Sequence, residues 1–129
     1  MKVRITYVIL KKDPSVRITH DSHIKVYLDE NQQFPSAYIS TKDEYETLKQ
    51  ISDKHLYVDF DWIKKDLSSF EVLNNQECEV VYSAYIPHIS DAEKIGSFYT
   101  FKELSDMGIK LKSNYEKAIF RRGKSVARG

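Results

Sequence analysis

The chain has 129 residues, with 20 Lys and Arg against 19 Asp and Glu, for a formal net charge of +1. A single domain of that length buries about two-thirds of its surface, enough for a core without disulfide or metal staples. The near-neutral balance excludes a chain built throughout for polyanions. No apolar run is long enough to span a bilayer. No secretory leader pattern is present either, so the expected setting is the cytoplasm and no membrane partner is expected. Cys78 stands alone, cannot close an internal disulfide and reads as a packed, reduced thiol.

The first predicted element is a strand over Val3 to Leu10, with Val3, Ile5, Tyr7 and Ile9 on one face. Lys11-Lys12-Asp13-Pro14-Ser15 reads as a turn, and Val16 to Thr19 as a short second strand. Ile24, Val26 and Leu28 alternate with Lys25, Tyr27 and Asp29, which is the period of a strand. Phe34-Pro35-Ser36-Ala37 is the loop into a helix. Thr41 and Glu44 have the spacing of a capping box, in which each side chain satisfies a backbone N–H of the first turn. Tyr45, Leu48 and Ile51 form its buried stripe, while Lys42, Glu46, Lys49, Gln50 and Asp53 occupy other faces.

Further along, Val58, Phe60 and Trp62 alternate with Asp59 and Asp61 and predict a half-buried strand. Asn74-Asn75 marks a hairpin turn before a long strand over Cys78 to Ile86. Thr100 and Glu103 form a second capping box, and Gly108 can close that helix in the left-handed conformation. Ser113 and Glu116 form a third, opening a helix whose Tyr115, Ala118 and Ile119 face inward. Strands and helices interleave without regular βαβ alternation. The expected fold class is therefore α/β, a mixed β-sheet flanked by helices.

The segment from Phe34 to Tyr57 resembles the signature of the Nudix hydrolases. That signature is a strand ending in Leu-Pro-Gly-Gly, then G-x5-E-x7-R-E-U-x-E-E-x-G-U with U apolar. With Ile51 at the first apolar position, Lys49 stands where the family has Arg and Gln50 where it has its first metal-binding Glu. Asp53 and Lys54 replace the paired Glu residues, Leu56 the Gly, and Tyr57 takes the last apolar place. Phe34-Pro35-Ser36-Ala37 matches Leu-Pro-Gly-Gly about two residues too close to the helix, and the earlier Glu falls at Thr41 or Asp43. Cys78 to Ile86 is similar to the family's central strand, Lys94 to Gly108 to its late strand and short helix, and Lys112 to Arg122 to its closing helix. The resemblance implies one Nudix-like domain over residues 1–120, followed by a basic tail over 121–129.

Nudix chemistry needs clustered carboxylates that hold Mg²⁺ against a diphosphate. Here only Asp53 keeps its charge, Gln50 keeps an oxygen without charge, and Lys54 puts a like charge beside the metal. The resemblance so read implies a degenerate box, no catalytic residue in use and no cofactor. A rearranged site would have to bring Glu44, Glu46 and Asp53 together around Mg²⁺.

Charge is unevenly distributed. Residues 110–129 carry seven basic residues (Lys110, Lys112, Lys117, Arg121, Arg122, Lys124 and Arg128) against Glu116 alone, which leaves −5 on residues 1–109. Arg121 to Gly129 lacks apolar periodicity and predicts a mobile tail able to lie on phosphates or on an acidic protein groove. His20-x-x-His23 has no second ligand pair, so a metal site there is not expected. Asp59 and Asp61 read as a solvated strand face. Tyr38, Tyr57 and Tyr85 suggest a surface aromatic cluster for a protein interface. No Ser-His-Asp order, Walker loop or dinucleotide fingerprint is present, and four glycines leave little for phosphate-cradling loops.

Three functions are weighed. The favoured one is a catalytically inactive Nudix-fold binding protein that acts through a protein partner. The others are a divergent metal-dependent nucleoside diphosphate-type hydrolase and an RNA- or DNA-binding module using the basic C-terminus. The richness in Lys, Asp and Tyr, with few Gly and Ala, also resembles small early proteins of large tailed phages. That resemblance implies a partner in host transcription or nucleic-acid machinery.

Overall fold

A computed structural model describes residues 2–12, 24–39, 43–86 and 92–128, with Lys12 and residues 121–128 defined by backbone alone. Along the chain come β1 (Lys2–Lys12), β2 (Ile24–Leu28), β3 (Ser36–Tyr38), α1 (Glu44–His55), β4 (Lys64–Asn74), β5 (Glu77–Ile86), β6 (Ser97–Tyr99), α2 (Phe101–Asp106) and α3 (Ser113–Arg128). The strands form one six-stranded sheet in the order β4-β5-β1-β2-β6, with β3 also paired to β1. β1 and β5 are parallel over ten residue pairs, and every other pairing is antiparallel. This is the mixed sheet flanked by helices that the sequence predicts.

β1 is apolar on both sides because both sides are covered. Ile5, Tyr7 and Ile9 pack in one layer with Leu48 and Ile51 of α1. Val8 and Leu10 pack in the other with Leu104 of α2 and Ala118 and Ile119 of α3. β2 and β3 lie one after the other along a single edge of β1, with Leu10 opposite Val26 and Thr6 opposite Ser36. The 29–35 loop joins them, exposed at residues 30–33 and buried at Phe34 and Pro35. Asp29 shapes it by accepting hydrogen bonds from the N–H of Asn31 (2.8 Å) and Gln33 (3.0 Å), with Gln32 at φ 59°.

Several expectations are corrected. The N-cap of α1 is Asp43, whose carboxylate accepts the Glu46 N–H at 2.8 Å, rather than a Thr41–Glu44 box; Thr41 lies outside the described residues. Tyr45 is not part of the buried stripe. It is 52% exposed, and Thr47, Leu48, Ile51, Ser52 and His55 form the inward face instead. Val58 to Trp62 is not a strand, because Asp59 caps a 3₁₀ turn at Phe60–Trp62 by accepting the Asp61 N–H at 3.0 Å. A local side-chain bond of this kind competes with a sheet ladder. Val58 and Phe60 still point inward, which is what mimics strand alternation.

The loop at Ser36–Ala37 is drawn into β3. The eleven-residue edge strand β4 has no counterpart in the sequence expectations, although Asn74-Asn75 does mark its hairpin turn to β5. The first i→i−4 bond of α3 runs from the Glu116 N–H to the Lys112 carbonyl, so Lys112 rather than Ser113 holds the boundary. That helix continues through Arg128 where an aperiodic tail is expected. The Thr100–Glu103 box is formed on both sides. Gly108 takes φ 75°, and its N–H and that of Ile109 bond back to Ser105 and Leu104, a Schellman closure. The Val16–Thr19 strand, residues 13–15 of the expected turn and the His20/His23 pair lie outside the described residues.

Candidate functional site

Two regions carry polar groups that the fold brings together. The first is the outer surface of α1, where Lys49, Gln50, Asp53 and Lys54 are all exposed. Of the three carboxylates a rearranged metal site would need, Glu44 accepts a hydrogen bond from the Tyr82 hydroxyl of β5 at 2.9 Å. Burial and this carboxylate push the Tyr82 hydroxyl up to about 12. Glu46 and Asp53 lie two turns apart on one face, about 10 Å along the axis. Glu44 stands half a turn away from both, about 13 Å before Asp53.

No single ion with ligand distances near 2 Å can be reached by all three. Among the described residues no group of three or more His, Cys, Asp or Glu is placed to hold a metal. A cation is already seated here: Lys94 Nζ donates to the Asp53 carbonyl at 2.6 Å and lies 5.4 Å from the centre of the Tyr57 ring. The donor set does not fit Mg²⁺, and no step is routed through one.

Beside α1 lies a shallow cleft of about 480 Å³, lined among others by Tyr45, Asp53, Tyr57, Asp59, Asp61 and Lys94. Tyr45 packs edge-on to Phe60 with centroids 5.0 Å apart and donates to Asp61 at 3.2 Å. Tyr57 and Trp62 are each 71% exposed. Tyr38 and Tyr85 do not join Tyr57 in one cluster. Tyr38 sits opposite Arg4 in the β1–β3 ladder, and Tyr85 packs against the layer under α2 and α3.

The second region lies on the opposite face, under α3. Glu79 of β5 is fully buried, and one oxygen, Oε2, accepts three hydrogen bonds. The donors are the Thr6 hydroxyl (2.6 Å), the Tyr115 hydroxyl (2.7 Å) and Arg4 Nη2 (3.2 Å). Lys112 Nζ lies 3.8 Å from Oε1, which accepts no hydrogen bond among the described residues. Burial raises the cost of the Glu79 charge, but the Thr6 and Tyr115 hydrogen bonds and the Arg4 and Lys112 charges outweigh it and hold the carboxyl below its usual range. Burial and Glu79 together push the Tyr115 hydroxyl up to about 12. Arg4, Thr6 and Tyr115 also line a pocket of about 290 Å³, closed by Gln32, Gln33 and Phe34 of the 29–35 loop and by Ile109, Lys110 and Leu111 before α3.

Of the seven basic residues singled out from sequence, Lys110 borders this pocket, Lys112 pairs with Glu79, and Lys117 is exposed on α3. Arg121, Arg122, Lys124 and Arg128 occupy the helical continuation, described by backbone alone. Glu79 was not among the expected site residues. Its signal is an acid two residues inside a strand that is buried on both faces from Cys78 to Val81.

No family model matches the chain, and no curated protein matches its sequence. Solved structures do match. Ap4A hydrolase of C. elegans, solved as a binary complex, has a TM-score of 0.65 and 11% identity, covering 100% of both chains. The C-terminal domain of mouse MUTYH, solved in complex with human PCNA, has a TM-score of 0.63 and 15% identity, covering 99% of this chain and 90% of that one. The Nudix domain of Shewanella oneidensis NrtR, solved with ADP ribose, has a TM-score of 0.59 and 13% identity, covering 96% and 87%. At these identities the matches define the fold. The chain has the Nudix fold.

Proposed function

We propose that this chain is a Nudix-fold binding protein without metal-dependent hydrolase activity, and that it acts through a macromolecular partner. The observation that carries this is the arrangement on α1. Gln50, Asp53 and Lys54 stand where the Nudix signature has three carboxylates, and Glu44, which is bonded to Tyr82, stands half a turn of helix away from Glu46 and Asp53, so the three share no common ion position. The folding determinants remain while the charge that would hold Mg²⁺ is gone. Structures of this fold in complex with human PCNA and with ADP ribose are in keeping with a binding role. On this reading the exposed rings of Tyr45, Tyr57 and Trp62, set among Asp59 and Asp61, are the partner-facing surface. The compositional resemblance to small phage proteins supports a partner in host transcription or nucleic-acid machinery.

The test pairs an activity assay with a binding one. Purified protein with Mg²⁺ or Mn²⁺ and a panel of nucleoside diphosphate derivatives should release no more phosphate or nucleotide than its Asp53→Asn variant. Metal-dependent turnover lost in Asp53→Asn would sink the proposal and promote the hydrolase reading. A protein partner recovered by the wild type should be lost on Tyr57→Ser/Trp62→Ser, two exposed changes that leave the core intact.

A further inference from the structure

The basic residues near the C-terminus are not spread at random once α3 is helical through Arg128. At about 100° per residue, Lys117, Arg121, Lys124 and Arg128 fall within about 60° of one another, at successive steps of four, three and four. The side of α3 that docks on the sheet carries Asn114, Ala118, Tyr115 and Ile119, about 60° to 200° around the helix from Lys117, so the row borders it. Ala118 and Ile119 are buried, Ser83 Oγ donates to the Ala118 carbonyl at 2.9 Å, Tyr115 donates to Glu79, and Asn114 Nδ2 donates to Glu71 at 2.8 Å. Ala118 and Ile119 are 100° and 200° around the helix from Lys117. Arg122, by the same spacing, falls on the docked side. The helix therefore has one face engaged by the fold and one row of four cation positions with no assigned use.

We infer that this row is a docking surface for the phosphate backbone of a nucleic acid, bound through charge without reading sequence. Four observations select that occupant. The four positions span about 16 Å of helix, which is the axial length of roughly five phosphates of one duplex strand. No aromatic or large aliphatic residue occupies the row, and protein interfaces draw their affinity from such anchors. Ala118 and Ile119, the buried apolar residues of α3, are taken up by the core layer under the helix rather than offered to a lipid surface. Residues 1–109 carry −5, which repels phosphate elsewhere and confines contact to this helix. The surface is separate from α1 and from its aromatic rim, so losing it would leave the non-hydrolytic reading standing.

The experiment is fluorescence anisotropy with the full chain, a labelled mixed-sequence duplex and a matching single strand, repeated over a salt series. Four variants in one chain, Lys117→Gln, Arg121→Gln, Lys124→Gln and Arg128→Gln, remove the row. A control of equal charge change carries Lys25→Gln, Lys49→Gln, Lys54→Gln and Lys102→Gln, all at exposed positions outside α3. Four contacts predict a log–log salt slope of about −3 to −4 for the wild type. The row variant should lose at least about tenfold in affinity at low salt and flatten that slope, while the control keeps the slope. Circular dichroism should show α3 retained in both.

Equal loss in the two variants would overturn the inference, because net charge rather than the row would then be responsible. So would the absence of binding to either nucleic acid at low salt. Binding of polyglutamate as tight as that of the duplex would also overturn it, in favour of an acidic protein partner.

Discussion

Two side chains on opposite faces of the sheet set how this protein meets acid. Glu79 is held ionised below its ordinary 4.5 although burial opposes the charge. His55 is held below 6.5, chiefly by burial and next by Lys54. Its Nδ1 lies 2.9 Å from the Tyr27 hydroxyl, whose proton is taken by the Ile95 carbonyl, so the neutral ring carries its proton on Nδ1. Both folded values are depressed. Each group therefore contributes stability that is present above its unfolded value and lost as pH falls through the folded one. Urea midpoints should hold above pH 6.5, decline below it as His55 is forced to charge, and fall again below 4.5 as Glu79 takes a proton. Glu79→Gln should cost about 2 to 3 kcal/mol at neutral pH and erase the lower step alone. Gly96 is a second sensitive point. It sits at φ 69°, and a Cβ there would lie 2.3 Å from the Leu28 carbonyl and 2.7 Å from the Tyr27 hydroxyl. Gly96→Ala should lower stability by about 3 kcal/mol or more in chemical denaturation, through strain plus displacement of the Tyr27–His55 pair. Gly108→Ala, at φ 75° with open space around the Cβ, should cost only about 1 kcal/mol, so the difference isolates the close approach.

Elements were legible where a local rule coincides with the tertiary outcome. Thr100 is the clear case: its hydroxyl accepts the Glu103 N–H at 3.1 Å, and the Glu103 carboxylate accepts the Thr100 N–H at 2.9 Å. Thr100→Ala should destabilise by about 1 kcal/mol, read as a shift in urea midpoint without a change in slope. β1, β2 and β5 were legible because they are covered on both faces and so read as apolar runs rich in β-branched residues. β4 was not, because as an edge strand it leaves Leu67, Phe70 and Val72 58–60% exposed and carries two register shifts against β5. Its pattern therefore follows no clean alternation. Val58 to Trp62 failed the other way, a turn whose two inward residues happened to be spaced as in a strand. The α1 surface could be read from sequence because its altered positions, Gln50, Asp53 and Lys54, fall within about one turn of a single helix. The Glu79 network could not, since Arg4, Thr6, Glu79 and Tyr115 meet only after β1 and β5 pair in parallel and α3 lies across them.

At the scale of the molecule, scaffold and chemistry separate. The Nudix fold is held by two apolar layers on either side of β1 and by the Glu79 anchor of α3. None of these uses the outer face of α1, where Gln50, Asp53 and Lys54 sit at i, i+3 and i+4 and so share one surface. If charge is what that surface lacks, restoring it should restore a metal site without disturbing the fold. Gln50→Glu/Lys54→Glu places two carboxylates beside Asp53 and removes the opposing ammonium, while Lys94 Nζ stays on the Asp53 carbonyl, a main-chain contact. Calorimetry should then show Mg²⁺ binding with a dissociation constant in the millimolar range or tighter, about the strength of weak carboxylate sites, against no heat for the wild type. The thermal midpoint of the double variant should rise with added Mg²⁺, since an ion bound only by the folded state stabilises it, and that of the wild type should not move. Equal Mg²⁺ binding by both chains would mean that the wild-type donors converge in solution in spite of their spacing on the helix. Failure of the double variant to bind would place the defect in the geometry of the shortened Phe34–Asp43 approach to α1 rather than in the charges it lacks.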